Sequence, residues 1–542
     1  MRIRVKGVAG WMLLLSAAGF AAGPSADLRL VDAVKRQDKQ ALRSLLRERV
    51  DVNARQGDGA TALAWAADRN DLEAADLLIQ AGADADAANE YGVTPLSLAC
   101  GNGNGAMVER LLKAGANPNA ARATGETPLM TCARVGAAEA VKLLLARGAN
   151  ANAKDAERGQ TALMWAASQK HPEVVQALVD AKADVHARSA VLPLYKPTRP
   201  ITYSPNVHFP ETKGGFTPLL FAAQAGDLES VRILLAAGAR ANDATPEAGS
   251  ALVLATMNGH ENVAHFLLDQ GADPNIADGY GITALHWAVQ EGLKAMYGRP
   301  GEVDPYWEHP NMPELVKTLL VRGANPNARI KKDFDPYIHR FARNRPIDLP
   351  AAWPTGATPF LLAAASGDPG MMRLLLEGKA DPGLATVQGL TPLMVAAGVG
   401  VDRVAGGTAG LAPAVIEGRI FPPEEEKKYL EAIQVAVEHG ADVNAPGPGG
   451  RTALHGAVLW GELGIIQYLA EKGADLEARD MYGQSALSIA LGDPGHFVYR
   501  QLPDDDFDVS FRRSKSRKQA VDLLLKLGAK PYDGPTSGTA GR

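Results

Sequence analysis

Histidine, tryptophan, cysteine and clustered acids are the residues of this chain able to do more than pack. The stretch GYGITALHWAVQEG, residues 279–292, sets His286 beside Trp287 just after a Gly-Tyr-Gly turn. An imidazole can ligate a metal or carry a proton, and an indole can anchor a ligand. HENVAH places His260 and His265 five positions apart, with Glu261 between them. A zinc-protease helix needs its histidines at i and i+4 on one face, so this spacing excludes that chemistry. DDDFD, Asp504–Asp508, lacks the central glycine and closing glutamate of a calcium loop. RRSKSRK follows it, and the two runs read as a solvated charged face. GVGVDRVAGGTAG has no Gly-Lys-Ser/Thr, and no Gly-x-Ser-x-Gly elbow occurs. Glu308, His309, His339 and His496 could assemble an enzyme site only if the fold gathered them, because no spacing joins them. The expectation is a non-enzyme with no catalytic, cofactor or metal site.

What must position these residues is a repeat. Thr/Ser-(Ala/Pro)-Leu-x-x-Ala, or a close variant, begins at Thr61, Thr94, Thr127, Thr161, Thr217, Ser250, Thr283, Thr358, Thr391, Thr452 and Ser485. A glycine stands two residues before each, from Gly59 to Gly483. The commonest spacing is 33 residues, and three longer gaps mark insertions. Thr or Ser suits a helix N-cap and Pro the first helical position. Leu then points inward, and the small residues let the next repeat approach. A second helix follows, as in VERLLKAGANPNA and VKLLLARGANANA, with Gly82, Gly115 or Gly148 placed for a left-handed C-cap. The segment after it is rich in Asp and Asn, which favour turns. The pattern resembles the ankyrin repeat family over nearly all of residues 27–533. That resemblance implies an α-class solenoid of about twelve helix-turn-helix units with hairpin-like turns. The first unit, DLRLVDAVKRQDKQALRSLLRERVDVNA, lacks Thr-Pro-Leu and is charged, as a terminal cap should be.

Composition agrees with a folded array. Hydrophobic residues make up 46% of 542 and charged residues 22%, with a net charge of −5, too acidic to suggest a nucleic-acid binder. Residues 1–23 read as a secretory signal peptide: Arg2, Arg4 and Lys6, then a short apolar run, then small residues. Export to a bacterial periplasm or beyond the cell is therefore expected, with no membrane span and a monomeric product. Residues 534–542, GPTSGTAGR, are expected to be disordered. Cys100 and Cys132 lie in corresponding helices of neighbouring repeats. Stacked helices pack about 8–10 Å apart, whereas a disulfide needs Cα atoms within about 7 Å. Two free, buried thiols are thus favoured over a bridge.

Five insertions interrupt the array. Residues 189–213 and 330–355 fall in the turns between repeats; 293–312, 399–421 and 492–515 fall between the two helices of repeats eight, ten and twelve. They are rich in aromatics, unlike disordered segments, and should pack on the array or on a partner. PPEEEKKYLEAIQVAVEHG suggests that the second helix of repeat ten begins early.

Trp65, Trp165 and Trp287 share one repeat position and read as core; His286 and His455 share another, where the resemblance implies hydrogen bonding between repeats. Trp460 is different. The resemblance implies that its position faces the concave groove, making it a candidate anchor or a packing group for the insertion of repeat ten. Tyr91, Tyr280 and Tyr482 precede tip glycines and are further candidates, with Tyr306, Trp307, Tyr337, Phe341 and Trp353 of the insertions. The expected function is capture of an unidentified protein partner through the concave groove of repeats eight to twelve and the insertions that wall it. On that expectation, residues 293–312 could be removed without unfolding the array. The alternatives are the assembled enzyme site and a purely structural array.

Overall fold

Each Thr-(Ala/Pro)-Leu segment starts a helix because its hydroxyl replaces the partner that the first backbone N–H groups lack. In the computed structural model, Thr94 Oγ1 accepts from Ser97 N at 3.2 Å and Thr358 Oγ1 from Leu361 N at 3.2 Å. Pro95, Pro128, Pro218, Pro359 and Pro392 occupy the first turn, where a missing N–H costs nothing. Second helices are capped by short acids or amides: Asp71 Oδ1 accepts from Ala74 N, and Asp368 Oδ1 from Met371 N. Gly82, Gly115 and Gly148 have φ of +89°, +95° and +84°, the left-handed exit that the sequence calls for after each Leu-rich helix.

The structure describes residues 27–193, 207–208, 212–297, 309–334, 355–399, 423–491 and 515–531. They belong to two compact units, Met1–Asn150 and Ala151–Arg542. The expected signal peptide and C-terminal tail lie outside the described residues.

The N-terminal unit holds repeats one to four, from Arg29–Lys35 with Lys39–Arg47 to Pro128–Val135 with Ala138–Ala146. Leu63, Leu78, Leu96, Leu111, Leu129 and Leu144 are at most 1% exposed and form its core. Hairpin tips join edge to edge: Glu90 N donates to Asp58 O at 3.0 Å. At the other end of the repeats, Asn119 Oδ1 accepts from Asn150 N while its Nδ2 donates to Gly148 O. Cys100 and Cys132 form a disulfide, which corrects the expectation of free thiols. Their Cα atoms are 4.6 Å apart. The spacing between helix axes misled the sequence argument. Each Cα lies about 2.3 Å off its axis, so residues that face one another stand much closer than the axes do.

The C-terminal unit holds repeats five to twelve, from Ala162–Ser168 with Pro172–Asp180 to Ala486–Ala490 with Lys515–Lys526. The same ladder recurs: Asn275, Asn327 and Asn444 each accept from a backbone N–H of the next repeat and donate to one of its carbonyls. At the two ends of insertion 189–213, Val191–Pro193 pairs antiparallel with Thr212–Gly214. A two-residue parallel pairing, Val207–His208 with Asp333–Phe334, joins this insertion to insertion 330–355. The second helix of repeat ten runs over Pro423–Glu438, 16 residues against nine for most of its counterparts, the early start its acidic opening suggested.

Candidate recognition surface

His286 is placed by the cap that starts its own helix, Ala284–Ala288. Its Nδ1 accepts from Thr283 N at 3.2 Å and lies 2.9 Å from Thr283 Oγ1. Its Nε2 is 3.1 Å from Ala328 O in the segment that ends the repeat. A neutral ring with the proton on Nε2 satisfies both ends. Burial drives its basicity down to about 4, against the backbone carbonyls that favour the charged form. His455 repeats the arrangement, bridging Thr452 and Gln484 O, and is likewise held neutral by burial. Both imidazoles tie helix starts to neighbouring backbone and stand away from solvent, 0% and 1% exposed.

Trp287 is 3% exposed, while Trp65 and Trp165 at the same repeat position are half-buried. Lys35 lies 4.5 Å from the centre of the Trp65 ring, covering the part the core leaves open. His260 stands before the helix Glu261–Asp269 with Nε2 3.2 Å from Gln224 O, and His265 lies within that helix. Among the described residues no three His, Cys, Asp or Glu side chains gather as a metal would require. Of the four residues proposed for an assembled enzyme site, only His309 is described; its ring lies beside Gly259 in repeat seven. Glu308, His339 and His496 lie outside the described residues.

The aromatic candidates divide. Tyr91, at the tip of repeat three in the N-terminal unit, is 69% exposed. Tyr280 is 6% exposed, and its carbonyl accepts from Lys331 N at 2.7 Å. The chain entering insertion 330–355 runs over this tip and takes Tyr280 off the surface, which corrects its place among the exposed candidates. Tyr482 is half-buried. Trp460 closes the helix Ala453–Trp460, and its Nε1 donates to Gly398 O at 3.1 Å, pinning the half-buried indole against the turn that follows the first helix of repeat ten. Tyr306, Trp307, Tyr337, Phe341 and Trp353 lie outside the described residues.

Insertion 293–312 is built into the core at both ends. Leu293 is 0% and Met312 2% exposed. Met312 N donates to Ala288 O, Asn311 Oδ1 accepts from Glu291 N, and Asn311 Nδ2 donates to Asp368 Oδ2 in repeat nine. Removing the whole segment would open that interface, so the expectation of a harmless deletion is withdrawn.

The exposed apolar residues were not singled out from the sequence. In the C-terminal unit Val321 is 84%, Val387 72%, Met481 69%, Val191 61%, Leu491 49% and Leu525 44% exposed, and three of these, Val387, Met481 and Leu491, lie on tips or at the end of a first helix in repeats ten to twelve. Val387 and Met481 occupy the hairpin tips of repeats ten and twelve, and Leu491 follows the first helix of repeat twelve. The signal was available: apolar side chains beside Gly389 and Gly483, at tips where turn chemistry favours polar residues. Met481 N donates to Gly449 O at 2.6 Å, so the tips of repeats eleven and twelve form one edge. With Trp460 this gives repeats ten to twelve an apolar set on tips and first helices.

Comparison with known proteins places these repeats. A family model described as ankyrin repeats (3 copies) matches residues 30–122, 107–189, 201–278, 219–297 and 426–496. A single ankyrin repeat model matches 280–331 and 355–387. The nuclear factor NF-kappa-B p105 subunit of Gallus gallus is 25% identical over 294 residues, which cover 54% of this chain and 25% of that protein. The B-cell lymphoma 3 protein homolog of Mus musculus is 34% identical over 189 residues, 33% of this chain and 37% of that protein. The ankyrin repeat and KH domain-containing protein mask-1 of Caenorhabditis elegans is 28% identical over 410 residues, 68% of this chain and 14% of that protein. The chain thus spans well under two thirds of the length of these curated relatives. Ankyrin repeat proteins are generally non-enzymatic interaction modules, and none of the described helices is long and apolar enough to cross a membrane. Matched over more than half its length, and built of capped helix pairs that close on one another through hairpin tips and asparagine ladders, this chain belongs to the ankyrin repeat family.

Proposed function

We propose that the chain is an exported, non-catalytic scaffold that holds a protein partner on the tips and first helices of repeats ten to twelve. The observation that carries this reading is the exposure of Val387, Met481 and Leu491 in those repeats, whose first helices also carry the half-buried Trp460. Apolar side chains on a surface held by caps and ladders bind without a large ordering cost. The exposed residues, not the inserted aromatics alone, are the anchors. Export is supported by the N-terminal residues 1–23 and by a disulfide, which persists in oxidising compartments.

Binding should be measured against proteins from the exported fraction of the host, with the wild-type chain as bait. Val387→Asp with Met481→Asp should lower capture at least about tenfold, the scale of losing one or two anchors, with helix content unchanged. Equal capture by both baits places the surface elsewhere.

A second reading has its own support. Trp460 is hydrogen-bonded to Gly398 and Tyr280 is buried, so these two aromatics already serve the array. If Trp460→Ala lowers stability yet the double substitution leaves capture intact, the array is structural at this face.

A further inference from the structure

We propose that the Cys100–Cys132 bond is a covalent closure made while the N-terminal unit is still open, by exchange with a disulfide donor, and then sealed when repeats three and four pack. Cys100 lies in the helix Pro95–Gly101 and Cys132 in the helix Pro128–Val135, and both are 0% exposed. Leu96, Ala99, Leu129 and Ala133 around them are at most 1% exposed. Cys132 takes the sixth place of its Thr-Pro-Leu segment and Cys100 the seventh of its own; those places hold Ala66 and Ala67 in repeat two and Ala222 and Ala223 in repeat six. The sixth place is alanine in every other repeat of the pattern and the seventh in most, and the 4.6 Å between the Cα atoms suits the bond.

The chemistry sets the order of events. One cysteine loses its proton to solvent, and its thiolate attacks the donor disulfide. A mixed disulfide forms and one donor thiol leaves. The second cysteine thiolate then attacks the sulfur of the first, expelling the other donor thiol. Two cysteines are oxidised by two electrons and one donor disulfide is reduced to two thiols. Each attack needs an approach to sulfur for a molecule as large as a tripeptide disulfide or an oxidoreductase, and the packed helices leave none. Exchange must precede packing, and the same burial withholds the finished bond from reductants. The inference is independent of partner binding. It touches the export reading only through where a donor is met, so the test is made in vitro and either can fail without the other.

The full chain would be unfolded and reduced in guanidinium, then refolded with glutathione disulfide or with dithiothreitol alone. Alkylation with a maleimide in guanidinium and intact mass then count free thiols. Refolding with the donor should give none. The oxidised folded chain should resist dithiothreitol until denaturant is added, with reduction then accelerating at least about a hundredfold, because opening governs access. Two labelled thiols after refolding with the donor, or reduction as fast without denaturant as with it, would overturn the proposal. Should the reduced chain fail to fold, C100A/C132A supplies the unbridged reference with the residues other repeats carry. Its N-terminal transition should fall by about 10 °C relative to the oxidised chain; an equal midpoint would show that the bond closes nothing.

Discussion

His286 and Trp287 are neighbours in sequence with separate duties. Trp287 fills core. His286 completes its own helix cap and reaches the Ala328 carbonyl, a span Ser97 cannot make from the same repeat position, although Ser97 Oγ also accepts from the N-cap N–H. This has a pH signature. The unfolded imidazole titrates near its ordinary 6.5 and the folded one near 4. Between those values the unfolded chain binds the proton and the folded chain does not. The stabilisation is complete above pH 6.5 and is lost as pH falls toward 4, about 3 kcal/mol in all. Burial raises the Asp278 carboxyl at the tip of the same repeat to about 7, which shifts stability the opposite way over this range, so the His286 loss is read as the difference between wild type and His286→Ser in urea unfolding at pH 7.5 and 4.5, followed by tryptophan fluorescence. His286→Ser should make the change in stability from pH 7.5 to 4.5 less unfavourable by about 2–3 kcal/mol, with stability at pH 7.5 lowered by about 1–3 kcal/mol. An unchanged slope would show that the imidazole is not the group being titrated.

At the scale of elements, repeat eight departs most from the regular unit. Its first helix stops at Ala288 and a second segment, Gln290–Tyr297, continues against the first helix of repeat nine, Pro359–Ala365. Gly292 permits the contact: a Cβ there would overlap the Leu362 carbonyl, which is backbone and cannot turn aside. Gly292→Ala should therefore cost about 2–4 kcal/mol, more than the helix-propensity gain of about 1 kcal/mol could offset. Thermal or urea unfolding of the variant checks this, and neutral behaviour would mean that the helix is held elsewhere. Repeat ten makes a related accommodation. Its 16-residue second helix carries Glu426, whose Oε1 accepts from Gly464 N at 2.6 Å in repeat eleven. Insertions thus extend the interfaces between repeats as well as decorating the array.

At the scale of the molecule, each unit is a one-dimensional stack in which a repeat meets chiefly its neighbours. Asn275 closes repeat seven on eight, and Asn444 closes ten on eleven. Asn275→Ala and Asn444→Ala should each cost about 1–2 kcal/mol. Together they should add to within about 0.5 kcal/mol, since neither shares a partner with the other. A coupling well above that, measured by a double-mutant cycle in urea, would mean that strain passes through several repeats.

The period of 33, the capping threonines and the left-handed glycines were legible in the residues, and the resemblance pointed to hydrogen-bonding histidines; that these are neutral follows from their burial. Each depends on contacts within one repeat or between a repeat and its neighbour, and those recur with the sequence. Three matters needed the folded chain. The approach of Cys132 to Cys100 depends on how far facing Cα atoms lie inside their helix axes, a distance that composition and spacing do not carry. Tyr280 and Tyr91 occupy the same repeat position, yet the chain leaving repeat eight crosses one and not the other. The exposure of Val387 and Met481 depends on what neighbouring tips leave uncovered. Local hydrogen-bonding geometry repeats whenever the residues repeat, whereas burial is a property of everything packed nearby, and only the tertiary structure brings that together.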